Sequence, residues 1–162
     1  MNNGILALAF LAAPCMAASL EDTLTAAEEG DAKAQEQLGV MYAQGQGVAR
    51  DFGAAVRWWR KAAVQGNPQA QYDLGLMYAL GRGVARDNRA AVRWCHKAAE
   101  QGLAKAQYYL GLQYGGGHSM ARDEVAAYKW YSLAAAQGYE GARTLRDAVA
   151  SAISTKQIAQ AQ

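Results

Sequence analysis

Only two prolines, two cysteines and two histidines occur in 162 residues, and each scarcity excludes something. Proline stands at positions 14 and 68 alone, and β-branched residues are sparse. Few helix breakers and little strand preference predict an all-α chain. The 52% apolar content is weighted toward alanine, a small helix former, so the predicted core is one of close-packed helices. Of the two cysteines, Cys15 lies in the amino-terminal apolar segment. If that segment is removed, Cys95 stands alone and no intramolecular disulfide is possible. Cys95 occupies the place of Trp59 and Tyr131 in neighbouring repeats, which predicts a small buried hydrophobe rather than a reactive thiol.

The histidines, His96 and His118, sit far apart on unlike elements with no cysteine pair nearby, so no metal motif exists. Ser-x-x-Lys, His-Glu-x-x-His and Gly-x-Ser-x-Gly are all missing. Gly115-Gly116-Gly117 takes the place of Ala43-Gln44-Gly45 in an earlier repeat, so a permissive helix end accounts for it better than a phosphate cradle. Cys95 and His96 are sequence neighbours, which point about 100° apart on a helix and cannot act as a dyad. The expectation is a non-enzyme with no cofactor and no metal.

Long apolar runs are also lacking. The longest, Ile5 to Ala13, falls short of the ~20 residues needed to span a bilayer. Its length, followed by Pro14, Cys15 and the small residues Ala17-Ala18-Ser19, reads as a signal peptide over residues 1–19, cut after Ala18 or Ser19. No Lys or Arg precedes the run, so its positive charge comes from the terminal amine. Cys15 permits a lipoprotein reading, ranked second because Pro14 is a poor cleavage context; an uncleaved buried helix is the structural alternative. Export to the periplasm or the exterior is expected, with the membrane met only in transit.

Formal net charge is +2, but unevenly spread. Residues 20–49 carry six acids against Lys33, and residues 50–97 carry nine bases against Asp51, Asp73 and Asp87. Such polarity could attract a partner of complementary charge or a nucleic acid. Most of these bases fall at repeated helix-surface positions, however, and a solvated face is the ordinary explanation. No nucleic-acid partner is expected.

What the chain does have is a period. Residues 34–69 and 70–105 are identical at 23 of 36 positions without a gap, and residues 106–141 match 70–105 at 18 of 36. A repeat of this length marks an array of supersecondary units, none of which buries its apolar face alone. Residues 20–33 form an acidic amino-terminal cap, in which Ala26-Ala27 and Gly30 align with Ala62-Ala63 and Gly66. Each unit contains two helices. Helix A runs about 68–79 in the second unit, started by Asn67-Pro68, with Asp31 offering the same cap to the first. Gly39, Gly75 and Gly111 recur inside helix A. A helical glycine costs about 1 kcal/mol relative to alanine, so a close neighbouring helix is expected there. Gly45, Gly81 and Gly117 suit a left-handed helix end, and Val48, Val84 and Met120 offer an apolar anchor. Asp51, Asp87 and Asp123 cap helix B over 52–65, 88–101 and 124–137. Trp58, Trp94 and Trp130 are predicted as the large core fillers, and Arg50, Arg86 and Arg122 as a ladder of ion pairs between units. Leu145, Val149 and Ile153 mark one stripe of a carboxy-terminal capping helix within 142–162, with residues 156–162 frayed.

These residues resemble the Sel-one-like repeat family, relatives of the tetratricopeptide repeat with a longer loop between helices. The resemblance rests on Leu38-Gly39…Tyr42, Leu74-Gly75…Tyr78 and Leu110-Gly111…Tyr114, with Gly-x-Gly-Val, Ala-x-x-Trp and Ala-Ala-x-x-Gly. Ser119 and Met120 depart from the loop pattern in the third unit. The family implies a right-handed α-solenoid acting as a binding scaffold, with helix A lining the concave side. It also implies a resemblance to exported adaptors, some linked to cell-wall metabolism or host contact. One secreted branch has β-lactamase-like activity, but it pairs cysteines inside each repeat, and this chain has no such pairs.

Where shared positions build a core, function belongs to positions that differ on a common face. On helix A these are Lys33/Gln69/Lys105, Glu36/Tyr72/Tyr108, Gln37/Asp73/Tyr109 and Val40/Leu76/Leu112, spaced i, i+3, i+4, i+7 and so on one side. That face changes from charged to aromatic along the array. The candidate partner site is Glu36, Gln37, Gln69, Tyr72, Asp73, Leu76, Lys105, Tyr108, Tyr109 and Leu112, gripping a protein or peptide. The structural alternative is that Tyr72 and Tyr108 merely pack on the next unit. A second functional reading is a binder of peptidoglycan or other cell-wall carbohydrate that modulates a cell-wall enzyme, using these aromatics with Gln69, Gln71 and Gln107. β-Lactamase-like hydrolysis is the least favoured.

Overall fold

The computed structural model describes residues 19–117, 121–153 and 159. The signal peptide short of Ser19, the loop residues Ser119 and Met120, and the expected 156–162 tail apart from Ala159 lie outside the described residues. The described chain folds as α1 (Leu20–Glu28), α2 (Ala32–Gln44), α3 (Phe52–Val64), α4 (Pro68–Leu80), α5 (Asn88–Glu100), α6 (Ala104–Gly116), α7 (Glu124–Ala136) and α8 (Ala142–Ala150). No strand occurs among the described residues. Helices α2–α3, α4–α5 and α6–α7 form three antiparallel hairpins, each packing on the next through α3–α4 and α5–α6. This is an all-α solenoid, with α1 against its first helix and α8 against its last.

The boundaries follow from the capping chemistry. Asp31 and Asn67 accept from the backbone N–H of Ala34 (2.6 Å) and Ala70 (2.9 Å). Asp51, Asp87 and Asp123 do the same for Ala54, Ala90 and Ala126. Gly45, Gly81 and Gly117 end helix A at φ +74°, +66° and +64°, the left-handed region that glycine enters without a Cβ penalty. Ser19 and Asp22 form a reciprocal capping box at the start of α1.

Gly39, Gly75 and Gly111 mark the closest helix–helix approach within each unit. A methyl group at these positions would sit 2.5 Å from the Trp59 ring, 2.6 Å from Cys95 Sγ and 2.5 Å from the Tyr131 ring. The residues packed over glycine are therefore Trp59, Cys95 and Tyr131, buried to 4%, 0% and 3%. This corrects the expected role of two of the three repeated tryptophans; Trp130 is buried in the core with Cys95 and Leu110, as expected. Trp58 and Trp94 are half-buried, and each lies under a lysine ammonium, Lys61 at 4.1 Å and Lys97 at 4.7 Å from the ring centre. They line the seam with the preceding unit: Trp58 packs on the cluster of Ala27, Ala34 and Leu38, and Trp94 on that of Trp59 and Leu74. Adjacent helix positions point about 100° apart, so one residue of register separates core from seam.

The expected arginine ladder between units is also absent among the described residues. Arg86 donates to Asn88 (3.3 Å) and Arg122 to Glu124 (2.6 Å), each at the start of the next helix of the same unit, while Arg50 lies over the Phe52 ring.

Buried amides join the units instead. Gln35, Gln71 and Gln107 are each 4% exposed. Their Nε2 groups donate to the carbonyls of Ala27 (3.0 Å), Ala63 (3.1 Å) and Ala99 (3.2 Å), at the end of the preceding unit. Their Oε1 atoms accept from Gln65, Gln101 and Gln137, all at 2.8 Å.

Two glycines of α6 predict opposite signs. Gly111→Ala must displace the buried Tyr131 ring, and overpacking of this kind costs about 1–3 kcal/mol, more than the propensity gained. At Gly115 the same methyl meets Ala127 Cβ at an ordinary 3.6 Å, so Gly115→Ala gains up to about 1 kcal/mol. Thermal melts should place the first variant below wild type and the second at or above it. Equal melting of the two would refute the close approach.

Candidate functional site

Helices α2, α4 and α6 present the residues that vary between units. Glu36 on α2 feels the charges of Asp73 on α4 and Lys105 on α6, and Asp73 feels that of Lys105. Burial above all, and then the Asp73 carboxylate, push Glu36 above the usual carboxylate range, while Lys105 and Lys33 oppose the shift. Asp73 is raised chiefly by burial, although Gln69 Nε2 donates to its Oδ2 at 2.7 Å and Lys105 lies near. The Lys105 ammonium stands 5.0 Å from the Tyr72 ring centre, a cation–π contact. Tyr72 meets Tyr109 edge-on at 6.5 Å. Burial, then the Cys95 sulfur, raise both phenols, Tyr109 to about 12, so both are neutral hydroxyl donors at physiological pH. Six of the ten predicted residues thus form one polar and aromatic cluster across three helices.

The other four sit differently. Tyr108 stacks on Tyr139 (5.0 Å) and Tyr131 (5.9 Å), where it packs α6 onto the turn before α8. Leu76 is half-buried against the core cluster of Trp59 and Leu74. Gln37 is exposed on α2, and Leu112 is 39% exposed on α6. Gln71 and Gln107, offered above as carbohydrate-binding amides, are the buried joints of the solenoid and present no free amide. Tyr139 was not anticipated from sequence; its only signal is an aromatic where the earlier units have Asn67 and Leu103.

The cluster contains no activated nucleophile. Burial pushes the Cys95 thiol up to about 12, and its side chain is fully covered by the core. His96 pairs with Glu100 at 3.2 Å and meets Trp130 edge-on at 5.3 Å. Among the described residues no group of three or more His, Cys, Asp or Glu could hold a metal ion, and no helix is long and apolar enough to cross a membrane.

Comparison with known proteins agrees with this architecture. The Sel1 repeat pattern matches residues 32–67, 68–103 and 104–139, three consecutive units that begin two residues before the frame used above. The chain belongs to the Sel1 repeat family, whose members are generally non-catalytic scaffolds for protein–protein interaction. It is similar to a Sel1 repeat protein from Oxalobacter formigenes, with 43% identity, a TM-score of 0.73, and coverage of 79% of this chain and 96% of that one. It is also similar to c5321, a protective antigen of uropathogenic Escherichia coli strains displaying an SLR fold, with 45% identity and a TM-score of 0.71. That match covers 73% of this chain but only 25% of the antigen. No curated protein matched the sequence.

The half-buried carboxylates predict a pH signature. A carboxyl raised in the folded state binds its proton more tightly folded than unfolded. Its stabilising contribution is therefore present at low pH and lost as pH rises from about 4 through the raised value. Asp73→Asn keeps an acceptor for Gln69 and removes the charge. Its melting temperature relative to wild type should be higher at pH ~7 than at pH ~4. An offset independent of pH would contradict the assignment.

Proposed function

We propose that this chain is a non-enzymatic scaffold of the cell envelope that holds a protein or peptide partner along the helix A face. The observation that carries this reading is the cluster of Glu36, Gln69, Tyr72, Asp73, Lys105 and Tyr109. It is assembled from positions the repeat leaves free, while the shared positions are engaged in caps, core and joints. Tyrosines supply apolar area with a hydroxyl at low entropic cost, and the flanking charges set orientation. Leu112 adds exposed apolar surface on the same helix as Tyr109. Tyr108, packed against Tyr139, supports the platform from beneath.

Export is part of the proposal and rests on residues 1–18 as a signal peptide. Cleavage after Ala18 leaves Ser19 as the first residue with its capping box intact, its N–H 3.2 Å from Asp22 Oδ2. Cleavage after Ser19 would remove the cap, which is worth about 1 kcal/mol.

Pulldown from an envelope fraction of the producing cell tests the site, with wild type and Tyr109→Ala/Leu112→Ala as baits. The expected result is a protein partner lost in the variant, whose melting confirms that it is folded. Retention of that partner would refute the site. Sedimentation with purified cell wall and no protein partner would favour the carbohydrate reading. The mass of the mature chain, starting at Ser19 or at Met1, decides the export step.

A further inference from the structure

The B helices carry a charge pattern that no carboxylate matches among the described residues. Arg57, Arg60 and Lys61 on α3, Arg93 and Lys97 on α5, and Lys129 on α7 are all exposed. The ion pairs among the described residues are Arg122–Glu124 and Arg146–Asp147, with a His96–Glu100 contact beside them, so none of these six bases is matched by a carboxylate. Arg57 with Lys61, and Arg93 with Lys97, are like charges four residues apart, an arrangement that weakens a helix by about 0.2–0.5 kcal/mol per pair. The 36-residue period then repeats the pair on the next B helix, α3 and α5 both packing on α4. A surface that serves solubility alone intersperses both signs; here the unfavourable arrangement is copied from one unit to the next.

Several of these bases are also held in place. The Lys61 and Lys97 ammonium groups rest over the Trp58 and Trp94 rings at 4.1 and 4.7 Å. Arg60 Nη2 donates to the Tyr78 hydroxyl at 2.9 Å. Side chains ordered before binding lose less entropy on binding. Between them, Arg57, Arg60, Lys61 and Val64 border an open groove of about 540 Å³, and Val64 is 73% exposed. The carboxylates nearest in sequence are Asp51 and Asp87, which cap α3 and α5 through Ala54 and Ala90 N–H, and Glu100, which lies beside His96.

We propose that the helix B face of α3 and α5 binds an acidic, extended segment of a partner protein. Its carboxylates sit on the Arg57–Lys61 and Arg93–Lys97 rows, and an apolar side chain rests on Val64. Both rows lie on helices that pack against α4, so one extended segment crossing from the first unit to the second meets them in turn. A lipid surface fits less well. The tryptophans lie half-buried beneath their lysines, and Val64 alone is no apolar stripe of the kind that enters a bilayer interface. A nucleic-acid backbone would use a longer track, whereas the third unit replaces the lysine of this row with Leu133.

The test is fluorescence anisotropy of the full chain with a fluorescein-labelled peptide carrying glutamate at every third position. Saturable binding is expected, weakening about tenfold or more between about 50 and 500 mM salt. Arg57→Glu/Arg93→Glu should weaken it about tenfold or more, and Arg57→Gln/Arg93→Gln by a smaller factor. The charge-reversed variant places Glu four residues before Lys on both helices, the favourable orientation, so its melting temperature should not fall. Tyr109→Ala/Leu112→Ala should bind this peptide as wild type does, so the two faces succeed or fail separately. Equal binding of a glutamine version of the peptide, or unchanged binding by the folded Arg57→Glu/Arg93→Glu variant, would overturn the proposal. Tighter binding of phosphatidylglycerol vesicles or of a short DNA duplex than of the peptide would overturn it as well.

Discussion

The solenoid depends on an amide buried at every junction between its units. Gln71 donates to the last turn of α3, accepts from Gln101 at the end of α5, and itself belongs to α4. One side chain thereby ties three helices and two units, and Gln35 and Gln107 repeat the arrangement. A buried amide left unpaired costs about 1–3 kcal/mol, so each joint tolerates only the geometry that satisfies it. Hydrophobic burial alone would let two alanine-rich helices slide; a directional bond fixes how far each unit is rotated against the last. In an array where each unit contacts only its neighbours, that local rule sets the shape of the whole.

The glycine contact does the corresponding work inside a unit. Gly39, Gly75 and Gly111 admit side chains as different as Trp59, Cys95 and Tyr131. The backbone approach is thus the shared feature, and the side chain that fills it is free to change. Cys95 is the smallest of the three, and it is wholly buried, with its thiol pushed up to about 12 by that burial.

Much of this was legible in the sequence. The period, the two helices per unit, the aspartate and asparagine caps and the left-handed glycine ends all act within a few residues, and short-range chemistry can be read locally. The expectations that failed depended on which neighbour a side chain meets. Trp58 and Trp94 looked like core because they are large and invariant, whereas the variable column beside them, Trp59, Cys95 and Tyr131, is the one facing glycine. The glutamine joints were visible as two columns repeated at 36 residues, Gln35/71/107 and Gln65/101/137, but glutamine is ordinarily exposed, and the partners lie 30 residues apart. Of the candidate site, Tyr72, Asp73, Lys105 and Tyr109 came together as their shared helix face implies. Tyr108 did not, because the array ends beside it and Tyr139 from the closing turn takes its ring.

Most repeated residues are engaged with one another in caps, core and joints. The varying residues of helix A and the repeated but carboxylate-free bases of α3 and α5 are left as two surfaces of different chemistry. The claim on which this rests is that the glutamines act as joints and not as incidental polar residues. A double-mutant cycle of Gln71→Leu and Gln101→Ala, followed by thermal or denaturant unfolding, measures it directly. Coupling of about 1 kcal/mol or more between the two sites is predicted; effects that add to within about 0.3–0.5 kcal/mol would contradict it.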